Sequence, residues 1–514
     1  MTPRYTLLAI LGSMTTLVVA QVAPDTEWQR SFGGSGNEGA AAVRETTDGG
    51  FVFGGHTDSN DGDVSGNHGG LDAWVGSTDA GGALLWKLAI GGTGDDEVRD
   101  AQLCADGGSI HVGYTFSNDG DLIGNKGSAD VLVIKLDSVG DIEWVNNYGG
   151  SGFDEGRSVV ATSDGGFVIA GFTTSDDGDV SGLQGGIDYW LFKLDATGAL
   201  LWQRTLGGTG NEFARAVRPV GTSGFIVAGY SDSNDGDVTG NNGNNDMWVV
   251  RVDANGAPIW QTCLGGTIGD GANAVATTAD GGFIVAGSAY SDNGDVVGNH
   301  GAGDAWVVKL DSLGAQLWQI ALGGTNTEEV LSATESVDGG IVLACTTASD
   351  DGDVTGFQGV NDFWLVKLDS DGGLLWQKTY GGTGTEQANC LEETADGGII
   401  IAGASNSVDG DLTSNAGLID VWLIRLKGLS TGDVEMANDQ LNVVPNPSNG
   451  PVMISGMNGP GTLFLTDALG RIVHSERVTS SNHRIDLEAF PTGVYQLTLR
   501  TAEGIASQRL VLQH

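Results

Sequence analysis

Basic residues are scarce in this sequence, and their scarcity limits the partners that the protein can have. The 514 residues include 23 Lys and Arg against 66 Asp and Glu, which gives a formal net charge of −43. A chain this acidic is repelled by phosphate backbones and by anionic lipid surfaces. We therefore expect neither a nucleic acid nor an anionic membrane as a partner.

Long apolar runs are equally rare. One run extends from Leu7 to Ala20 behind the single basic residue Arg4, and it is too short to span a bilayer. This pattern predicts a secretory signal peptide over residues 1–20; the alternative is a buried first helix. No other run is long enough to cross a membrane, so we expect no transmembrane segment in the mature protein.

Most of the chain is one segment written seven times. The copies are marked by a tryptophan that returns every 58 residues without an insertion. These register tryptophans are Trp28, Trp86, Trp144, Trp202, Trp260, Trp318 and Trp376. A constant period over seven copies means that each copy fills the same geometric slot.

Each copy contains the pattern of four β-strands. In the central copy, the predicted strands are 158–163, 167–172, 188–195 and 199–206, joined by Gly-containing turns and one polar loop. A single four-stranded sheet cannot bury both of its faces, so the copies must pack on one another. The sequence predicts an all-β fold, a seven-bladed β-propeller over residues 21–428 in which the N-terminal strand completes the last blade.

The remaining tryptophans and the cysteines fit this frame. Six tryptophans lie in the third strand of their copy, which favours packing between blades over a platform for stacking sugars. They are Trp74, Trp190, Trp248, Trp306, Trp364 and Trp422. The cysteines Cys104, Cys263, Cys345 and Cys390 occupy unrelated positions in their copies, so we predict unpaired packing residues and no disulfide framework.

Two acidic motifs recur in the copies with small variations, such as Asn293 in the fifth copy. The first is GGxGxD/E after the outer strand, and the second is the loop DGDVxG with an aspartate at the start of the next strand. Clustered carboxylates can supply the six to eight oxygens that Ca²⁺ prefers. The alternative is that these side chains form Asx-turns with backbone amides. The predicted calcium ligands are Asp61, Asp63, Asp72, Asp119, Asp121, Asp130, Asp177, Asp179, Asp188, Asp235, Asp237, Asp246, Asp295, Asp304, Asp351, Asp353, Asp362, Asp409, Asp411 and Asp420.

The sequence contains none of the catalytic motifs that we searched for. The seven histidines are scattered, and HExxH, GxSxG and P-loop motifs are missing. A carboxylate pair for glycoside hydrolysis stays open among the 66 acidic residues, but none is singled out. We therefore predict no catalytic residue.

The 58-residue repeat ends before a polar linker at residues 429–440, and the sequence pattern after the linker is different. Short alternating strands follow, near 461–466, 471–475, 483–487, 494–500 and 507–512, and they predict a small β-sandwich over residues 441–514. This part contains VVPNPSNG from Val443, LTDALGR from Leu465 and PTGVY from Pro491. In this order the segments closely resemble the C-terminal sorting domain of the type IX secretion system of Bacteroidetes. The residues that carry the resemblance are Pro445, Asn446, Pro447, Gly450, Asp467, Gly470, Arg471, Gly493 and Tyr495.

The resemblance implies export by the type IX machinery, with removal of the signal peptide and of the sorting domain. We expect a secreted or surface-attached propeller that binds a glycan, a protein or calcium without catalysis. Two alternatives stay open at this point, an exported polysaccharide hydrolase and a structural protein of a surface layer or matrix.

Overall fold

The computed structural model of the protein describes residues 23–412, 414–428, 442–455, 461–466, 472–478, 482–488, 490–501 and 504–513. Regular structure in these ranges consists of β-strands β1–β35, and they contain no helix that could cross a membrane. The predicted signal peptide and linker lie outside the described residues. The chain forms two compact units, one over Val22–Leu429 and one within Ser430–His514.

The first unit consists of four-stranded antiparallel sheets, as the repeat predicted. Sheets 1 to 6 consist, in this order, of β2–β5, β6–β9, β10–β13, β14–β17, β18–β21 and β22–β25, whereas sheet 7 consists of β26, β27, β28 and β1. The first strands are β2 (Glu38–Glu45), β6 (Asp96–Leu103), β10 (Asp154–Ala161), β14 (Glu212–Pro219), β18 (Asp270–Thr277), β22 (Glu328–Glu335) and β26 (Glu386–Glu393). The second strands are β3 (Phe51–Thr57), β7 (Ser109–Thr115), β11 (Phe167–Thr173), β15 (Phe225–Ser231), β19 (Phe283–Ala289), β23 (Ile341–Thr347) and β27 (Ile399–Ser405).

The third and fourth strands complete each sheet. The third strands are β4 (Asp72–Thr78), β8 (Asp130–Leu136), β12 (Asp188–Leu194), β16 (Asp246–Val252), β20 (Asp304–Leu310), β24 (Asp362–Leu368) and β28 (Asp420–Leu426). The fourth strands are β5 (Leu84–Ile90), β9 (Ile142–Tyr148), β13 (Leu200–Leu206), β17 (Pro258–Leu264), β21 (Gln316–Leu322), β25 (Leu374–Tyr380) and, in sheet 7, β1 (Thr26–Phe32). Strand β1 pairs antiparallel with β28, so that Phe32 lies opposite Val421.

Neighbouring sheets pack face to face through apolar side chains. The second and third strands are buried along nearly their whole length because both of their faces are covered. One core cluster joins Phe32 and Val421 of sheet 7 to Phe53 and Trp74 of sheet 1. The first strands contact one another in chain order, and β26 contacts β2 in the same way.

The six third-strand tryptophans are buried, which confirms their packing role. Five of them donate their indole N–H to a glutamine in the neighbouring fourth strand, as Trp190 does to Gln203 at 3.1 Å. The four cysteines are all unpaired, as predicted.

The C-terminal unit contains two sheets around one apolar core. The strands of the smaller sheet are β29 (Asn442–Val444), β30 (Pro451–Ser455) and β33 (Asn482–Asp486). The larger sheet has the order β32 (Ile472–Val478), β31 (Gly461–Thr466), β34 (Gly493–Thr501) and β35 (Gly504–Leu512). The structure contains each of the five strands predicted in this region, but most of these strands begin or end at a different residue from the predicted one.

Candidate functional site

The first aspartate of every acidic loop holds a backbone amide. Its Oδ1 accepts a hydrogen bond from the residue that follows the paired glycines of the connection before the first strand. These bonds are Asp61 to Ser35 (2.7 Å), Asp119 to Thr93 (2.8 Å), Asp177 to Ser151 (2.6 Å), Asp235 to Thr209 (2.8 Å), Asp351 to Thr325 (2.8 Å) and Asp409 to Thr383 (2.8 Å). Asn293 makes the same bond to Thr267 at 2.9 Å in sheet 5.

The second aspartate of the loop binds the same connection. Its Oδ2 accepts the N–H of the first of the two glycines at 3.0–3.4 Å in six sheets. These residues are Asp63, Asp179, Asp237, Asp295, Asp353 and Asp411. In sheet 2, Asp121 lies 3.7 Å from Nε2 of His68.

The aspartate that begins each third strand is buried, and in six of the seven sheets only one of its two oxygens is hydrogen-bonded. Its Oδ2 accepts the N–H of the residue four positions earlier, at 2.7–3.0 Å. Oδ1 is buried without a hydrogen-bond partner in six of the seven aspartates. The six are Asp72, Asp130, Asp246, Asp304, Asp362 and Asp420, whereas Oδ1 of Asp188 accepts the N–H of Gly185 at 3.2 Å.

A second buried carboxylate lies beside each of these aspartates. It is the acidic residue of GGxGxD/E, which begins the first strand of the next sheet and accepts the N–H of the second glycine at 2.7–2.9 Å. A Cβ on the first glycine would contact the carboxylates; on Gly33 it would lie 2.4 Å from Asp420 and 2.6 Å from Glu38. We call these seven arrangements the junction pairs, one for each contact between successive sheets.

Burial raises the pKa of the aspartate in the junction pairs. The pKa of Asp130, Asp188, Asp246 and Asp362 rises to about 6, and the neighbouring acidic residue adds to the shift. The partner carboxylate accepts hydrogen bonds from backbone and hydroxyl groups, as Glu38 does from Gly34 and Thr57.

The hydrogen bonds favour the turn-forming interpretation of the acidic loops. Within the described part of the chain, no three carboxylate, imidazole or thiol groups stand where they could hold a metal ion together. The calcium site stays a prediction. Asn293 shows that the loop bond needs an oxygen acceptor and not a negative charge.

One position of the first strands carries different residues in different sheets. Each first strand has a β-bulge at its fourth residue, where the register shifts, as between Gly156 and Ser158 around Arg157. A bulge turns a side chain out of the regular pleat, and the bulged residue is partly exposed in all seven sheets. The bulged residues are Ala41, Arg99, Arg157, Arg215, Asn273, Leu331 and Asn389.

Three consecutive sheets place an arginine over an aromatic ring at this bulge. The guanidinium carbons of Arg99, Arg157 and Arg215 lie 5.2, 5.8 and 5.4 Å from the ring centres of Tyr114, Phe172 and Tyr230, respectively. These distances are typical of cation–π contacts. We call these six residues the arginine–aromatic arc. Phe153 and Phe213 connect the rings of successive sheets.

Two glutamates neutralise one end of the arc. Arg99 pairs with Glu97 at 2.9 Å and with Glu155 at 3.0 Å, and Arg157 pairs with Glu155 at 2.9 Å. At the other end, the positions equivalent to these glutamates carry Phe213 and Gly271. Arg215 therefore lacks both flanking carboxylates. Its Nη2 donates to the Tyr230 hydroxyl at 3.1 Å, and its Nε is buried without a hydrogen-bond partner.

The sequence analysis did not predict the arc, because it considered the positions that are similar in all copies and not those that vary. The signal was present: in the 58-residue register, one position reads Ala, Arg, Arg, Arg, Asn, Leu, Asn, and another reads His, Tyr, Phe, Tyr, Ser, Thr, Ala. Arginine and aromatic residues coincide in the same three copies.

The sorting residues that are described hold the ends of the C-terminal unit together. Asn446 accepts the N–H of Val511 at 3.0 Å through Oδ1, and the Tyr495 hydroxyl donates to the carbonyl of Pro491 at 2.8 Å. Gly450 has a φ of 150°. Pro445 and Pro447 follow cis peptide bonds, and Gly493 begins β34. Asp467, Gly470 and Arg471 lie outside the described residues.

Comparison with known proteins supports the interpretation of the C-terminal unit. Residues 442–513 match the family described as the secretion system C-terminal sorting domain. The resemblance to the type IX sorting domain is thereby confirmed, and it implies export by that system.

The chain is also similar to other proteins. The regulatory protein FlaEY of Caulobacter vibrioides is 33% identical over 165 residues, which cover 29% of this chain and 17% of FlaEY. Among solved structures, the Pan2 WD40 domain of Neurospora crassa has a TM-score of 0.44 at 11% identity, covering 78% of this chain and 97% of its own. PorZ, a surface component of the type IX secretion system of Porphyromonas gingivalis, has a TM-score of 0.37 at 13% identity, covering 92% and 59%.

Proposed function

We propose that this protein is an exported, non-catalytic binding protein. Its sorting domain directs it through the type IX system to the medium or to the outer-membrane surface, and the repeats form a closed seven-bladed propeller that binds a ligand. The observation that carries the binding role is the arginine–aromatic arc, the place where three of seven otherwise similar sheets depart together from the shared pattern.

Two features support a closed ring. At every contact between successive sheets, the first residue of a first strand donates its N–H to the residue before the third strand of the preceding sheet, at 2.6–2.9 Å. The contact between sheets 7 and 1 has the same bond, from Glu38 to Ile419 at 2.7 Å. Strand β1 supplies the fourth strand of sheet 7, which joins the two ends of the unit.

The ion pairs of the arginine–aromatic arc support the non-catalytic assignment. Glu97 and Glu155, the carboxylates of the arc, are held in ion pairs with arginines. A carboxylic acid that protonates a leaving group needs a raised pKa and freedom from such a cation. The exported hydrolase and the structural matrix protein are the competing proposals.

Export is tested by expressing the full chain and a chain that ends at Gly428 in a bacterium with a working type IX system. We expect the full chain in the medium or on the surface and the truncated chain in the periplasm. A periplasmic marker protein controls for lysis. Surface delivery of the truncated chain would contradict the assignment.

Binding is tested with the purified full chain on immobilised cell-surface glycans and on polysaccharide substrates. The proposal expects retention on at least one glycan without release of reducing ends. Turnover that is lost with a single carboxylate variant would support the hydrolase, and concentration-dependent self-association without retention would support the matrix protein.

A further inference from the structure

A continuous row of aromatic rings follows the arginine–aromatic arc across sheets 2 to 4. Successive ring centres lie 4.9–5.8 Å apart, which is the contact distance of aromatic pairs. We call these rings the aromatic row; in order, they are Phe116, Phe153, Phe172, Phe213 and Tyr230. A further ring, that of Tyr290, shares with Tyr230 the lining of a cavity of about 250 Å³ where sheet 4 meets sheet 5.

The rings at the two ends of this arrangement are open to solvent. Phe116 is 41% exposed at one end, and Tyr290 is 43% exposed beyond the other. Between them, Phe153, Phe213 and Tyr230 are each partly exposed. Neighbouring apolar side chains that stay exposed in a folded protein mark a site of interaction.

Comparison of the copies shows that the fold does not require these rings. Phe116 and Tyr290 both follow a second strand, at a position that carries Asp, Thr, Asp, Ala and Asn in the other five copies. Phe153 and Phe213 occupy two positions at which no other copy has an aromatic residue. The same sheet forms with small or polar residues at all these positions. The four departures nevertheless fall together in one patch, which a ligand explains and the packing of the repeat does not.

The charges beside the row leave no cation in excess. The three arginines of the arc are matched by the two glutamates of its ion pairs and by Glu329, which lines the cavity. Arg215 is also engaged by the Tyr230 hydroxyl at 3.1 Å. Asp270, the second carboxylate of the cavity lining, is buried and accepts three backbone N–H groups. The site therefore does not select an anion, and its guanidinium groups repel a cation, so it suits an uncharged ligand.

Polar side chains at the Tyr230 end can bind hydroxyl groups. Asn273 uses its amide hydrogens on Glu329 at 2.8 Å and on the Val330 carbonyl at 3.0 Å, so its amide oxygen can accept from a ligand. The Tyr230 hydroxyl accepts from Arg215 and can donate its own proton. Aromatic walls with a few such polar groups form a binding site for a ligand that is apolar on one face and hydroxylated at its edge. An uncharged sugar has this chemistry.

We propose that the aromatic row binds an uncharged oligosaccharide, with its sugar rings stacked along the row from Phe116 and one sugar residue in the cavity between Tyr230 and Tyr290. The proposal rests on the proposed binding function and names its ligand class. It also agrees with the net charge of −43, which repels acidic polysaccharides but not neutral ones.

Calorimetric titration of the full chain with four uncharged oligosaccharides tests the site: cellohexaose, xylohexaose, mannohexaose and laminarihexaose. We expect at least one to bind, with the same affinity in low and high salt because no ion pair forms. Phe116→Thr and Tyr290→Ala should each weaken that binding about tenfold, since each removes a stacking ring. Both variants introduce a residue that another copy carries at this position, Thr174 or Ala348, so the melting temperature should be unchanged.

Leu317→Ala is the matched control, because it removes an apolar side chain that is 57% exposed on the fourth strand β21. Equal binding by wild type and both ring variants would overturn the site, and binding of none of the four oligosaccharides would overturn the ligand class. If the chain were then retained on isolated surface proteins and the ring variants were not, the row would bind a protein and the proposed binding function would stand. Failure to bind any glycan or surface partner would remove both.

Discussion

Asn293 is the informative residue of the acidic loops. It occupies a position that is aspartate in the other six sheets, and it keeps the bond to the connection at 2.9 Å without a charge. The aspartates at this position are therefore explained as hydrogen-bond acceptors in a tight loop. Their charge adds to the solubility of an exported protein.

This explanation predicts different effects of two substitutions at Asp351. Asp351→Asn should be nearly neutral for the free energy of unfolding, because the amide oxygen can accept the Thr325 N–H as Asn293 accepts that of Thr267. Asp351→Ala should cost about 1 kcal/mol. Chemical unfolding of the full chain with calcium and with chelator measures both. Equal losses for Asn and Ala, seen only with calcium, would favour the calcium prediction instead.

A second residue-scale prediction concerns the indole of Trp74. Five of the other third-strand positions pair an indole N–H with a fourth-strand glutamine, but sheet 1 has Lys87 there, and Nε1 of Trp74 is buried without a partner. Lys87→Gln should supply the missing acceptor and raise the free energy of unfolding by about 0.5–1.5 kcal/mol.

Sheet 2 provides the control for that substitution. It carries Val145 at the glutamine position and Leu132 at the tryptophan position, so it has no indole donor to satisfy. Val145→Gln should give no gain. A gain of the same size in both variants would show that the glutamine acts through something other than the indole.

The junction pairs lie at the contacts between sheets and make the stability of these contacts depend on pH. The pKa of an aspartate such as Asp246 is about 6 in the folded chain and 3.8 when unperturbed, so the folded state holds a proton that the unfolded state has lost between these values. The unfolded chain binds fewer protons in this window, and the free energy of unfolding therefore falls as the pH rises from about 4 to about 6. We expect the melting temperature of the full chain to decrease over this range.

Asp246→Asn isolates one junction pair. The asparagine amide resembles the protonated acid and can donate to Asp270, so the variant should be more stable than wild type at pH 8 and similar to it at pH 4. The gain is at most about 2–3 kcal/mol, the value of a shift of about two pKa units. Asp371→Asn, which removes one charge at an exposed turn, should change stability little at either pH. A pH-independent effect of Asp246→Asn would refute the coupling.

The element boundaries show what a repeated sequence can and cannot predict. The sequence pattern predicts three of the four strands of the central copy to within one residue at each end, because their apolar runs end at glycine turns. The first strand begins at Asp154 and not at 158, since its polar start pairs with β11 across the bulge at Arg157. A bulge leaves no mark in an apolar pattern, so the early strand start could not be predicted. The arginine and aromatic residues of the arc do coincide in the 58-residue register, but only the structure shows that they are in contact. The junction pairs were missed for a related reason: their members are 24 or more residues apart and come from successive sheets.

At the scale of the whole repeat unit, a polar network links the first strands. Arg44 contacts Asp100 at 2.7 Å and Glu392 at 3.7 Å, and Ser158 donates to Asp100 at 2.9 Å. Arg218 donates to Ser158 at 3.3 Å. The network thus joins sheets 1, 2, 3, 4 and 7, as expected if the first strands surround a common centre.

Closure of the ring is tested by comparing two equivalent glutamines. Gln29 on β1 accepts the indole N–H of Trp422 at 3.1 Å, and Gln203 accepts that of Trp190 at 3.1 Å within sheet 3. Sheet 3 is built from consecutive strands, whereas Gln29 reaches sheet 7 from the opposite end of the unit. If β1 is a permanent member of sheet 7, Gln29→Ala and Gln203→Ala should each lower the free energy of unfolding by a similar 1–3 kcal/mol or so, because each leaves a buried indole N–H unsatisfied. If β1 were only loosely attached, Gln29→Ala would cost almost nothing while Gln203→Ala kept its full cost. Urea unfolding of the two variants in the full chain separates these outcomes, and hydrogen exchange at the Trp422 indole would show whether the joint between the first and last strands opens on its own.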